Sequence, residues 1–207
     1  MSLREAAGEA EEVGWQIKIK KNGGRDFSLD SPTVRRDNGI VGEMAYLSLG
    51  SNLGDRAANL RAAIAELDKA GSLRAISAFY ETQPVELVQQ PWFLNCVVSI
   101  ETEKTPRELL RFVLFVEEAL GRLRMRKKGP RRIDIDVVLM GDRVVDEPGL
   151  RIPHPAMHQR RFVLAPLDEI APEVRHPVLG KTVRELLAEL GPGQAARPVG
   201  AGTSENP

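Results

Sequence analysis

The chain has 207 residues, with 29 Lys and Arg against 29 Asp and Glu, 42% hydrophobic and 28% charged. That length fits one domain with appendages, and the composition can support a packed core. Balanced charge removes the bulk electrostatic case for a nucleic-acid binder. No run approaches the ~18–20 apolar residues of a membrane span, and the single Cys96 rules out an internal disulfide or a cysteine zinc site.

Residues 1–43 mix acids, bases and glycines, with only Trp15, Ile17 and Ile19 in apolar alternation. Glu5, Glu9, Glu11 and Glu12 stand where a signal peptide needs apolar residues, so a reducing cytosol is the expected compartment. This stretch is expected to be a flexible N-terminal extension, or sequence upstream of a start at Met44; the alternative is an extra docked strand. Residues 44–190 are expected to form the domain. Residues 191–207, rich in Gly, Pro, Ala and Ser, are expected to be a mobile C-terminal tail.

Within the domain, residues 45–49 read as a strand ending at Gly50. Leu60, Ile64 and Leu67 recur at helical spacing after Asp55, and Gly71 stops that helix. Residues 73–80 and 93–102 read as strands. Thr105-Pro106 opens a second helix, whose apolar face carries Leu109, Val113, Val116 and Leu120. Residues 133–140 read as a strand, and 160–170 and 182–190 as helices. The order β-α-β-β-α-β predicts an α+β, ferredoxin-like antiparallel sheet with two helices on one face.

The densest chemistry lies in residues 122–136. Seven of the eleven residues from 122 to 132 are Lys or Arg, and Asp134 and Asp136 follow. In a strand, residues two apart share a face, so the two carboxylates stand side by side while Ile133, Ile135 and Val137 face the other way. Two such charges about 7 Å apart repel by roughly 2–2.5 kcal/mol at an effective dielectric near 20. A cation between them removes that penalty, and an all-oxygen donor set suits Mg²⁺. A bare D-x-D is more often an ordinary solvated strand, and a basic run more often a solvated face or nucleic-acid patch. Together they point to a polyphosphate grip joined to a metal-binding carboxylate pair.

Two other segments stay open at this level. Gly50 to Asp55 is either an anion-facing turn or a tight connection with Asp55 as helix cap, the second being favoured. Phe93 and Asn95 offer either a flat face and an amide for a planar heterocycle, or a core ring and a turn cap. The usual Walker A and dinucleotide-binding glycine patterns are absent.

The motifs Gly50-Ser51-Asn52-Leu53-Gly54-Asp55, Phe79-Tyr80-x-Thr82, Phe93-Leu94-Asn95, Gly129-Pro130-Arg131-Arg132-Ile133-Asp134-Ile135-Asp136 and Pro153-His154-Pro155 with Arg160-x-Phe162 occur in this order. They resemble the 6-hydroxymethyl-7,8-dihydropterin pyrophosphokinase family of folate biosynthesis over about residues 44–178. The resemblance implies a transferase that moves pyrophosphate from ATP to the hydroxymethyl of the reduced pterin and releases AMP. It implies two Mg²⁺ held by Asp134 and Asp136, with Arg122 and Arg131 joining them in catalysis. ATP would be bound by Arg122, Arg124, Arg131, His154 and Arg160, with Glu117 on the nucleotide side. Thr82, Phe93, Asn95 and Phe162 would form the pterin pocket. A monomer with neither nucleic-acid nor membrane partner is expected. Departures from the family pattern are Lys128, where relatives carry an aromatic, Gln83 in place of a proline, and Gly149, where an Arg is found, with Arg151 two residues on. Two other classes stay open: an RNA-binding sheet, which would need exposed aromatics on its central strands, and a Mg²⁺-dependent nuclease or nucleotidyltransferase, which would not need the ring pocket.

Overall fold

A computed structural model describes residues 34–35, 41–83, 90–121, 129–191, 193 and 195–199. Its elements in chain order are strands β1 (Val34–Arg35) and β2 (Val41–Ser51), helix α1 (Arg56–Leu67), strands β3 (Ser72–Ile76), β4 (Tyr80–Thr82) and β5 (Phe93–Thr102), helix α2 (Pro106–Ala119), strands β6 (Asp134–Met140), β7 (Val145–Glu147) and β8 (Leu150–Ile152), helices α3 (Arg161–Ile170) and α4 (Val183–Glu189), and strand β9 (Ala196–Pro198).

Helix starts follow local chemistry. Asp55 caps α1 by accepting from the Ala58 amide at 2.9 Å. Thr105 and Glu108 close a capping box on α2, and Thr182 and Glu185 close another on α4, each satisfying otherwise orphaned amides.

Seven strands among the described residues form one antiparallel sheet. β2 lies between β5 and β6, and the outer side of β5 is lined by β3 and then β4. The segment expected as one strand over 73–80 is therefore two. Ser77 bridges the break: its amide donates to Val97 O at 2.9 Å, and its hydroxyl accepts from the Val97 amide at 3.0 Å.

Alternation sorts the two faces. Leu47 and Leu49 of β2, Cys96 and Val98 of β5, and Ile135 and Val137 of β6 pack with Leu60 and Leu67 of α1 and Leu109, Val113 and Val116 of α2. On the other face Val97 and Val138 pack with Val163, Leu164 and Leu167 of α3 and Val183 and Leu186 of α4. The sheet thus has helices on both faces. The second pair packs on the face that carries Asp134 and Asp136.

Three boundaries differ from expectation. β2 begins at Val41, three residues before Met44, and its first two residues pair with β1. Part of the stretch read as an extension therefore belongs to the sheet. Within the stretch read as a mobile tail, β9 pairs with β4, and the Val199 amide donates to Phe79 O at 2.7 Å. β4 is a short edge, and these three residues satisfy it although they have no apolar pattern of their own. The β7–β8 hairpin, which turns at Gly149 with φ +78°, was not expected. No helix among the described residues is long and apolar enough to cross a membrane.

Candidate active site

One cross-strand row organises the polar end of the sheet. Gly50 of β2 stands opposite Asn95 of β5 on one side and Asp134 of β6 on the other, and Asn95 stands opposite Tyr80 of β4. Residues in register point to the same face. With strands ~4.8 Å apart, Asn95 and Asp134 flank Gly50 at a backbone separation of about 10 Å.

Gly50 has no side chain to fill that interval. A Cβ built there would lie 2.6 Å from Asn95 Oδ1 and 3.7 Å from Phe93 Cδ1. Asn95 cannot easily move aside: it is 4% exposed, and its Nδ2 donates to Thr82 Oγ1 at 2.6 Å. Phe93 is half-buried and belongs to neither hydrophobic cluster. Of the two readings open for this pair, core ring and turn cap do not fit. Asn95 is mid-sheet, and with Phe93 and Thr82 it lines bare backbone at Gly50. Phe162 sits in the first turn of α3, which packs on β5, and the Arg160 guanidinium carbon lies 5.5 Å from its ring centroid.

At the other end of the row, Arg131 Nη1 donates to Asp134 Oδ2 at 2.6 Å. Asp136, two residues on, has Arg160 Nη1 3.8 Å from its Oδ2. The Asp136 carboxyl is held above the ordinary carboxylate range, first by desolvation and then by the charge of Asp134; His154, Arg160 and Arg131 only partly offset this. His154 is pushed down, chiefly by desolvation and also by Arg160, against the pull of the two aspartates. Its Nδ1 accepts from the Ala156 amide at 3.2 Å, and its Nε2 lies 3.5 Å from Arg160 Nη1. Asp134, Asp136, Arg131, His154 and Arg160 are thus brought together from β6, the preceding loop and the stretch leading into α3. The arrangement can hold a hard cation on the acids and an anion on the guanidinium groups and the imidazole N–H.

Comparison with known proteins gives the site a context. Residues 46–172 match the family model of 7,8-dihydro-6-hydroxymethylpterin-pyrophosphokinase (HPPK), more than half of the chain. The chain belongs to the HPPK family. A 2-amino-4-hydroxy-6-hydroxymethyldihydropteridine pyrophosphokinase of Methylorubrum extorquens is 47% identical over 155 residues, covering 74% of this chain and 97% of that protein. The protein of the same name from Bacillus subtilis is 43% identical over 136 residues, 65% of this chain and 81% of that one. The folic acid synthesis protein fol1 of Schizosaccharomyces pombe is 41% identical over 157 residues, 75% of this chain but 21% of its own length. In fold, the chain is similar to wild-type Plasmodium falciparum HPPK-DHPS, with a TM-score of 0.58 at 18% identity, covering 72% of this chain and 44% of that one. The chain therefore spans under half of that two-part protein and about a fifth of fol1. HPPK relatives are pyrophosphokinases, so the family is one of transferases.

Of the residues that the HPPK resemblance implied, the structure gathers Thr82, Phe93 and Asn95 at one end of the row and Asp134, Asp136, Arg131, His154 and Arg160 at the other. Arg122 and Arg124, like Lys128, lie outside the described residues. Glu117 is 1% exposed, and its Oε1 accepts from the Ile135 amide at 2.7 Å, between the two aspartates in sequence. This bond ties β6 to α2. Two residues escaped the sequence reading. Gly50 and Asn52 were visible as a strand end, a turn and a family motif, with no role assigned to either. Asn52 is 2% exposed, and it ties the loop before Asp134 to the segment before Phe93. The crowding of Gly and Asn at a strand end was the available signal, but it does not say which neighbours they meet.

Proposed function

We propose that this chain transfers the pyrophosphoryl group of ATP to the hydroxymethyl oxygen of 6-hydroxymethyl-7,8-dihydropterin, releasing AMP, as a step of folate biosynthesis. The observation that carries this reading is the row Asn95–Gly50–Asp134. A ring-reading amide and a carboxylate stand on one face, separated by about two strand spacings, with a glycine as the residue between them in the row. A bicyclic ring lying on Gly50 with its edge on Asn95 would direct a substituent toward the carboxylate end. The spatial order β6–β2–β5–β3/β4 with crossover helices α1 and α2 fits the ferredoxin-like arrangement.

The donor set fits Mg²⁺. Asp134 and Asp136 are oxygen donors on one face with side chains 24% and 42% exposed, and desolvation, then the charge of Asp134, holds the Asp136 carboxyl above the ordinary carboxylate range. Two Mg²⁺ on these carboxylates would neutralise phosphate charge and favour an ionised acceptor hydroxyl. The protein's own cations then have distinct places. Arg131, already held by Asp134, faces the transferred group. Arg160 and His154 face phosphate oxygens, and the family resemblance assigns Arg122 and Arg124 to ATP as well. Phe93 and Phe162 supply aromatic faces for the ring, while Thr82 holds Asn95 in its reading position.

The test is to combine protein, ATP, Mg²⁺ and the hydroxymethyl-dihydropterin and follow AMP. Pterin-dependent AMP is the expected product. ADP in its place, or turnover without pterin, would overturn the assignment. Asp134→Ala and Asp136→Ala should each abolish turnover at an unchanged circular dichroism spectrum.

A further inference from the structure

Asn52 uses its backbone amide and both polar atoms of its side chain, on two different segments. Its amide donates to Arg131 O at 3.1 Å, and its Oδ1 accepts from the Arg131 amide at 2.8 Å. Its Nδ2 donates to Gln90 Oε1 at 3.2 Å and to Pro91 O at 3.4 Å. The first pair of bonds closes on the Arg131 peptide like a rung of sheet, completed by a side chain. Three residues later the chain reaches Asp134, to which the Arg131 side chain is also bonded. The second pair ends two residues before Phe93. Asn52 itself is fixed two residues beyond Gly50, the floor between the two ends of the site.

Arg56 provides the contrast. Its Nη1 donates to Trp92 O at 2.9 Å, and its Nη2 pairs with Glu81 at 2.7 Å. It therefore grips the Phe93 side alone.

We infer that Asn52 is a positioning residue that fixes the distance between the ring-binding and phosphate-binding ends of the site, by hydrogen-bonding the segments that lead into Phe93 and into Asp134. The inference rests on the reaction proposed above, in which the acceptor oxygen of the ring substrate must meet a group held by Arg131 and Asp134. Such a reaction is sensitive to spacing: misplacement by ~1 Å can lower the rate about a hundredfold.

Three variants separate the two arms. Asn52→Ala removes both side-chain arms. Asn52→Asp keeps the Oδ1 acceptor for the Arg131 amide and loses the two donors to residues 90 and 91. Gln90→Ala removes one bond on the ring side. Hydrogen exchange on the intact chain should quicken in peptides covering 90–94 and 129–133 for Asn52→Ala, and in 90–94 alone for Asn52→Asp and Gln90→Ala. In steady-state kinetics, Asn52→Ala should lower kcat by roughly ten- to a hundredfold and raise the pterin KM. Gln90→Ala should raise the pterin KM by about three- to tenfold with kcat near wild type. The Asn52→Ala/Gln90→Ala double variant should have a pterin KM no higher than Asn52→Ala, because both changes break one connection.

Quickened exchange in only one segment for Asn52→Ala, or a lowered melting temperature with wild-type kcat and KM, would overturn the inference. If Asn52→Ala does not fold, Asn52→Asp and Gln90→Ala decide by the same two readouts. Wild-type AMP formation is the separate control: its failure removes the proposed reaction, while the exchange pattern still tests the two-armed connection.

Discussion

Gly50→Ala is the sharpest perturbation of the site, because the added atom has one place to go. The new Cβ would meet Asn95 Oδ1 at 2.6 Å, well inside van der Waals contact. The φ of Gly50 is not in the left-handed region, so space alone sets the penalty. Asn95 can yield only by leaving Thr82, to which it donates at 2.6 Å in a buried setting. A buried partner left unsatisfied costs about 1–3 kcal/mol, and overpacking a filled site costs about 1–3 kcal/mol more. At ~2–4 °C per kcal/mol for a domain of this size, the melting temperature should fall by about 5–20 °C. The displaced amide would no longer read the ring, so the pterin KM should rise at least about tenfold, while the affinity for an unreactive ATP analogue stays near wild type. Differential scanning fluorimetry and steady-state kinetics measure both effects. Gly54→Ala is the matched control: Gly54 has φ +64° and nothing within 4 Å of a built Cβ. It should lose only the ~1–2 kcal/mol of a left-handed L-residue and leave the pterin KM unchanged. Gly50→Ala with wild-type melting and wild-type pterin KM would refute the argument that bare backbone is the floor of the slot.

Four further outcomes follow from the site's charges and anchors. The folded-state pKa of Asp136 is raised, so its contribution to stability is full below the unfolded carboxylate value and is lost as pH rises through the folded one. Asp136→Asn should therefore melt higher than wild type at neutral pH without Mg²⁺, with the gain vanishing near about pH 3; parallel melting curves across that range would contradict the electrostatic reading. Wild type should gain melting temperature on adding millimolar Mg²⁺, and Asp136→Asn should gain less. Glu117→Ala leaves the Ile135 amide unpaired in the core and should lower the melting temperature by about 2–12 °C, whereas Glu117→Gln, which keeps the acceptor, should lose much less. A larger effect on ATP affinity than on melting would place Glu117 on the nucleotide side. Arg131→Ala keeps the backbone bonds to Asn52 and should lower kcat more than it raises the pterin KM; a raised KM at unchanged kcat would place Arg131 in ground-state binding.

Local signals in the sequence carried far. Period-two alternation placed Asp134 and Asp136 on one face and Ile135 and Val137 on the other, and the structure has them so. The Thr105-Pro106 start and the Asp55 cap needed only residues within one helical turn. The Phe93–Thr102 strand was legible end to end because apolar residues dominate it from Phe93 to Ile100. Where the sequence was silent, the deciding partner was distant. Glu117 looks like any helix acid until α2 packs its carboxylate onto a strand amide eighteen positions on. Residues 196–198 look like tail until the edge of β4 takes them up.

The amino-acid order alone determined the family, the β-α-β-β-α-β order of the central elements, and the pairing of two carboxylates with a cationic loop, since each depends on residue type at short spacing. Cross-strand register alone decided that Asn95, Gly50 and Asp134 form a row and that Asn52 reaches both of its neighbouring segments. Register is set by packing between segments some forty to eighty residues apart, and no local period records it.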